Sequence, residues 1–273
     1  MKTKLFIISF FLILLTASTS ASVKLSKDAT ISILTCSPGN ELYSLFGHTG
    51  IRVVDKANNM DIVFNYGTFD FATQGFYFKF ARGLLPYQLS CSEFRRFLSS
   101  YIHDERSVYS QILNLDSIQK QYLMDLLVEN HEPANREYLY NFLYDNCSTR
   151  VRDIIEKSTG NQITWIAQPS TKSFWNLLDE YLGRSPWIQW GIHTILGSPA
   201  TSTATIHEQM FLPDYLMYRL DSAAYNGTPL VQPIETVYEA PEQDLSTPWY
   251  FSPFFVFAIC TLALILFLQK VIS

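Results

Sequence analysis

The apolar residues of this chain form two greasy ends around a patterned body. After Met1-Lys2-Thr3-Lys4, residues 5–15 are apolar, and small residues follow through Ala17-Ser18-Thr19-Ser20-Ala21. A charged start, a short apolar core and a small-residue exit predict a secretory signal peptide over residues 1–21, cleaved after Ala21. Its core falls short of the roughly 20 residues that a membrane span needs, which argues against an uncleaved anchor. At the other end, no charged residue occurs from Trp249 to Leu268. Such a run, at about 1.5 Å rise per residue, covers a bilayer core of about 30 Å. It predicts a transmembrane helix over 249–269, with Trp249 and Tyr250 at one interface and Lys270 at the cytoplasmic one.

Between these ends, periods of two and of 3.6 alternate. Residues 30–36 read as a strand, and Ser37-Pro38-Gly39-Asn40 as a turn. Residues 51–54 and 62–66 are β-branched or alternating and predict a hairpin closed by the polar stretch 55–61. The segment 67–89, aromatic and punctuated by glycine, resists assignment. A helix is predicted over 92–106, capped by Ser92, with Phe94, Phe97, Leu98 and Tyr101 on one face, followed by a strand over 108–115. Asp116 then caps a second helix, with Gln119 at the capping-box position and Ile118, Tyr122, Leu126 and Leu127 as its apolar stripe. Residues 138–144 look extended. Residues 147–157 predict a helix with Val151, Ile154 and Ile155 inward, closed by Gly160. A helix around 174–182 and an apolar piece over 187–196 follow. Residues 226–248, proline-rich and acidic, predict a tether to the membrane helix.

Composition narrows the function. The net charge is −5 and no long basic run occurs, so nucleic acid is excluded as a partner. Of four cysteines, Cys260 lies in the predicted span, which leaves Cys36, Cys91 and Cys147 in the exported body. An odd number leaves at least one thiol unpaired; whether Cys36 and Cys91 are disulfide-bonded is open from spacing alone. No Cys/His pair has the short spacing of a metal site, so no metal and no other cofactor is expected.

Cys147 follows Tyr144-Asp145-Asn146 at a predicted helix start. Unpaired N–H groups there carry partial positive charge and favour a thiolate over a thiol. A nucleophile and a buried structural cysteine both fit this stretch alone. A nucleophile needs a base. Of the five histidines, His48 is the best placed, since it opens a strand beside Gly47, which leaves room for a substrate. A polar acceptor must orient the ring. On the following strand Asn65 resembles, by its position, the polar orienter of permuted papain-like enzymes, and Asp70 is the fallback. Asn146, Ser148 and the N–H of Cys147 are candidate oxyanion donors.

The order His48, Asn65, Cys147 resembles a permuted papain-type fold, such as that of lecithin:retinol acyltransferase and NlpC-related proteins. Several blocks more closely resemble the Lnb-type lipoprotein N-acyltransferases. They are Leu34-Thr35-Cys36-Ser37-Pro38-Gly39, Leu45-Phe46-Gly47-His48, Phe64-Asn65-Tyr66-Gly67-Thr68-Phe69-Asp70-Phe71, Tyr140-Asn141-Phe142-Leu143-Tyr144-Asp145-Asn146-Cys147-Ser148-Thr149-Arg150 and Met210-Phe211-Leu212-Pro213. Members of that family often carry several C-terminal membrane helices, whereas one is predicted here. The resemblance implies an α+β fold: a circularly permuted papain-like domain with an antiparallel sheet and helices, in the periplasm over 22–225, anchored in the inner membrane by the C-terminal helix. It implies a cysteine-dependent acyltransferase with Cys147, His48 and Asn65 catalytic. The acyl chain would pass from a membrane phospholipid, through a Cys147 thioester, to the α-amine of a diacylated lipoprotein. A papain-like peptidase or amidase acting on cell-wall peptide, and a membrane-anchored binding module without activity, remain as alternatives.

Overall fold

The computed structural model describes residues 23–69, 72–75, 79, 84–166, 170–183, 185–241 and 248–272. The expected signal peptide and Asp70 lie outside the described residues.

The alternating segments assemble into one antiparallel sheet of seven strands. These are β1 (Thr30–Cys36), β2 (His48–Asp55), β3 (Met60–Thr68), β4 (Pro86–Glu93), β5 (Val108–Ile112), β6 (Glu137–Leu139) and β10 (Glu235–Tyr238). Their spatial order is β10-β5-β1-β2-β3-β4-β6. A small second sheet joins β7 (Ile163–Thr164), β8 (Ala224–Tyr225) and β9 (Thr228–Pro229). The helices are α1 (Phe94–His103), α2 (Ser117–His131), α3 (Cys147–Ser158), α4 (Phe174–Leu182), α5 (Pro186–Leu196), α6 (Ile206–Gln209), α7 (Pro213–Ser222) and α8 (Pro253–Ile272). The fold is therefore α+β, as the resemblance implies.

Strand alternation sends side chains to two cores. Ile31, Ile33, Ile51, Val53, Phe64 and Tyr66 pack against Leu123 and Leu127 of α2, Val151 and Ile155 of α3, and Leu216 and Leu220 of α7. On the opposite face, Leu34, Cys36 and Val63 meet Phe97 and Tyr101 of α1. A third cluster gathers Leu45, four residues of α4, Phe211 and Leu212, with Ile188, Ile192 and Leu196 of α5 packed against it.

Several expectations need correction. Ser92 is a strand residue: β4 stays paired to β3 through Glu93, so α1 starts only at Phe94 and carries no side-chain cap. The Asp116–Gln119 capping box forms as predicted. The buried row of α2, however, is Leu123, Met124, Leu126 and Leu127, while Ile118 in the first turn is 81% exposed. The extended run 138–144 ends at Leu139, because Asn141 Oδ1 accepts from the N–H groups of Leu143 and Tyr144 and turns the chain. The segment 226–248 is not simply a tether. Leu230 and Val231 are buried in the main core, and β10 adds the edge strand beside β5. Edge placement suits this segment, since proline cannot donate to a central ladder. Residues 242–247 lie outside the described residues. The helix α8 opens with Pro253 at its first position, and Pro253–Val271 is long and apolar enough to cross a membrane by length and composition.

Asp55 ties the chain start to the sheet. At the end of β2 its buried carboxylate accepts from Ser26 N–H (2.7 Å), Ser26 Oγ–H (2.6 Å), Asn58 Nδ2 (2.7 Å) and Ala57 N–H (3.2 Å). The Ser26 donors above all hold its pKa down to about 2. A depressed carboxylate pKa contributes stability that is present above the unfolded value, near 3.9, and is lost as pH falls through the folded value. Asp55→Ala strands these donors, and we expect a loss of about 1–3 kcal/mol at pH 7 that shrinks towards zero below about pH 2, read by denaturant titration at both pH values.

Candidate functional site

Three strand ends and one helix start converge beside β2. His48 is the first residue of β2 and pairs across the ladder with Cys36. The Gly47 before it has φ +80°, and a Cβ there would lie 2.7 Å from the Cys36 carbonyl oxygen. Only glycine admits this close turn. Asn65 lies on β3, where the pairing to β4 shifts register between Asn65 and Thr68. That irregularity includes Gly67 at φ +86°, and a Cβ there would sit 3.6 Å from Cys147 Cβ and 3.8 Å from His48 Cε1. Glycine thus opens the space in front of both side chains.

Cys147 is held by its cap. Asn146 Oδ1 accepts from the N–H groups of Ser148 (2.9 Å) and Thr149 (3.0 Å), and Thr149 Oγ1 accepts from Asn146 N–H (2.8 Å). The other end of the Asn146 amide donates to the carbonyls of Phe142 and Phe211, both at 2.8 Å. Behind the helix start, the hydroxyls of Ser148 and Thr49 hydrogen-bond at 2.9 Å and knit α3 to β2.

His48 and Cys147 interact directly, and Asn65 Oδ1 accepts from His48 Nε2. Burial disfavours the charged form of each group. For Cys147, the charge and hydrogen bond of His48, with the Thr49 N–H and the Ser148 hydroxyl, outweigh burial and hold the thiol below its ordinary pKa. For His48, burial is outweighed in turn by the charge and hydrogen bond of Cys147 and by Asn65, so its pKa is raised. The two shifts agree: the pair favours thiolate and imidazolium.

The pair faces a cavity of about 300 Å³. Its walls are chiefly apolar, with Tyr87, Tyr140, Phe142 and Phe211 among the rings, and Ile192 and Leu196 contributed by α5. Tyr87 and Tyr140 stack at 4.2 Å.

The structure brings Cys147, His48 and Asn65 together as the residue pattern implies. Asn146 lines the cavity, but both ends of its amide are engaged in holding the chain, and Ser148 is fully buried behind the sulfur. Neither is free to donate to a substrate oxygen, and that expectation is withdrawn in favour of a supporting role. Thr49 and Gly67 were not singled out from the sequence. Gly67 had a signal, a glycine two residues after the candidate orienter, whereas Thr49 acts partly through its backbone N–H and left none. Cys36 and Cys91 are both free thiols. They lie on β1 and β4, with two strands between, about 14 Å apart at ~4.8 Å per strand and beyond disulfide reach. Burial pushes the Cys36 thiol up to about 12, so it stays protonated beside the reactive pair. Among the described residues, Asp153, Glu156 and His207 bring three ligand-type atoms within 4.8 Å of one another at the surface. Glu156 there already accepts from Trp165 Nε1 and lies 3.2 Å from His207 Nε2.

A family model described as the Lnb N-terminal periplasmic domain matches residues 17–179, more than half of the chain. The chain belongs to the Lnb family. No curated protein and no solved structure matches it. The matched span contains His48, Asn65, Gly67 and Cys147 and ends in α4. The Lnb match and the apolar α8 together fit a periplasmic body beside an inner membrane.

Because the Cys147 pKa is lowered, its thiolate persists to lower pH than an ordinary thiolate. Alkylation of Cys147 by iodoacetamide is expected to stay rapid at neutral pH and to fall only below the range of an ordinary thiol, about 8.5. In His48→Ala the rate should climb through that ordinary range instead, as read by mass spectrometry of the Cys147 peptide across a pH series. Gly67→Ala places a methyl group 3.6 Å from Cys147 Cβ in a left-handed backbone, and should slow alkylation at every pH without moving the midpoint.

Proposed function

We propose that this protein is a cysteine-dependent lipoprotein N-acyltransferase with a circularly permuted papain-like arrangement. Cys147 is the nucleophile, His48 the general base and acid, and Asn65 the residue that orients the ring. The observation that carries this reading is the placement of Cys147 and His48 side by side on the wall of an apolar cavity. A chain of methylenes gains from such a wall, whereas a polar cell-wall peptide would leave its amides without partners there.

The chemistry balances in two steps. The thiolate attacks the ester carbonyl of a phospholipid, and the tetrahedral oxyanion forms beside the N–H of Cys147 at the α3 start. The C–O bond breaks as His48 protonates the leaving lysophospholipid oxygen, and an acyl thioester remains on Cys147. The α-amine of a diacylglyceryl-cysteine lipoprotein then attacks the thioester. His48 takes the amine proton, the C–S bond breaks, and the amide product leaves the thiolate restored. Neither step requires a cofactor. In this reading residues 1–21 export the chain, the body works in the periplasm and α8 holds it in the inner membrane beside both substrates.

Full-length protein in vesicles of acyl-labelled phospholipid should yield a labelled Cys147 thioester, and adding a diacylated lipopeptide should move the label to its amine. Cys147→Ser should form no adduct. His48→Ala should load about 100- to 10,000-fold more slowly, the usual range for a lost general base. Release of peptide fragments from cell-wall peptide without an acyl adduct would instead establish the peptidase.

A further inference from the structure

The helix α5 leaves an apolar face uncovered by the body. It carries no Asp, Glu, Lys or Arg, and none of its residues is buried. Its polar side chains face the body: Gln189 Nε2 donates to Asp179 Oδ1 at 2.7 Å, and the His193 ring stacks on Trp175 with Nε2 2.8 Å from that carboxylate. Ile188, Ile192 and Leu196 pack against the body as well, and the remaining large apolar side chains face outward. Trp190 is 51% exposed and Ile195 77% exposed.

That outward face is continuous with α8. The rings of Trp187 and Trp190 each lie 5.6 Å from Phe257, and Trp187 Nε1 donates to the Phe251 carbonyl at 2.6 Å. Phe257 stands four residues after Pro253, about 6 Å along the axis at 1.5 Å per residue. A span entering the bilayer at Pro253 therefore sets both tryptophans at the depth where aromatic belts lie. From there α5 runs to Ile195 and Leu196, which line the Cys147 cavity; Leu42 and Tyr43 line it too and are exposed.

We propose that α5, Leu42 and Tyr43 form a lipid-embedded mouth. Through it a phospholipid acyl chain enters the Cys147 cavity sideways, from the leaflet at the N-terminal end of α8, without crossing water. This rests on the acyl-transfer reading and on α8 as the span. The occupant is a lipid surface because the exposed face is uncharged, aromatic at the α8 contact and aliphatic at the cavity.

The test uses full-length protein in phosphatidylethanolamine/phosphatidylglycerol vesicles. A benzophenone side chain replacing Trp190 or Ile195 should form phospholipid adducts on irradiation, and one replacing the exposed Ile118 of α2 should form none. Equal labelling at positions 190 and 118 would overturn the proposal. In Trp190→Glu, loading of Cys147 from bilayer phospholipid should fall about tenfold or more, since the new charge opposes insertion. Its iodoacetamide alkylation rate should stay at the wild-type value; unchanged loading would also sink the lipid mouth. If wild-type protein never loads Cys147, the acyl-transfer reading fails, while the photocrosslinking arm still decides whether α5 lies in lipid.

Discussion

A thiolate and an imidazolium buried beside an apolar cavity are tolerable only because each meets the other. Removing either charge from water alone would cost several kcal/mol. Here the sulfur also receives the Thr49 N–H, the Ser148 hydroxyl and the N-terminal end of α3, and the ring is held by Asn65. Every one of these donors sits on β2, β3 or the first turn of α3. The positions of these three elements relative to one another are therefore what the site depends on, and much of the remaining fold can be read as fixing them.

Asn146 does most of that fixing. Its side chain caps α3 and at the same time holds the carbonyls of Phe142, four residues upstream, and Phe211, far downstream. One amide thereby joins the turn that delivers Cys147, the helix that polarises it and the segment that supplies a cavity wall. Aspartate would keep the cap and lose both donations, so asparagine is the residue type that serves all three. Gly47 and Gly67 complete the frame from the strand side, by letting backbone lie where a side chain would collide with the Cys36 carbonyl or fill the space beside Cys147 Cβ and His48 Cε1.

How much of this was legible in the residues follows from the range of each interaction. Cys147 at a helix start, His48 at a strand start and Asn65 on the next strand are local features, and their convergence needed only the β2–β3 hairpin and one long-range docking of α3. The capping box at Asp116 is local too, and it formed. Burial and pairing choices made elsewhere were not legible. Which row of α2 is buried depends on the sheet beneath it, and Ser92 stays in β4 because β3 still pairs with it. The prolines of 226–241 look like a linker until Leu230 and Val231 find the core and β10 finds the free edge of β5. Asn146 read as a substrate donor because its partners, Phe142 and Phe211, come from a turn and from a segment 65 residues away.

The same reasoning applies to α5. Its residues look like a core helix, apolar nearly all round, and in a globular protein such a helix is buried. Its position denies that: Gln189 and His193 turn towards Asp179, and the tryptophans turn away from the body towards Phe257 of α8. An apolar face of this kind in water would be a standing aggregation hazard. Next to a helix apolar enough to span a bilayer, it has a solvent that suits it. Helix α5 then links the cavity and the dyad to the span, and in the proposed reading the lipid around α5 is also the reagent that Cys147 would consume.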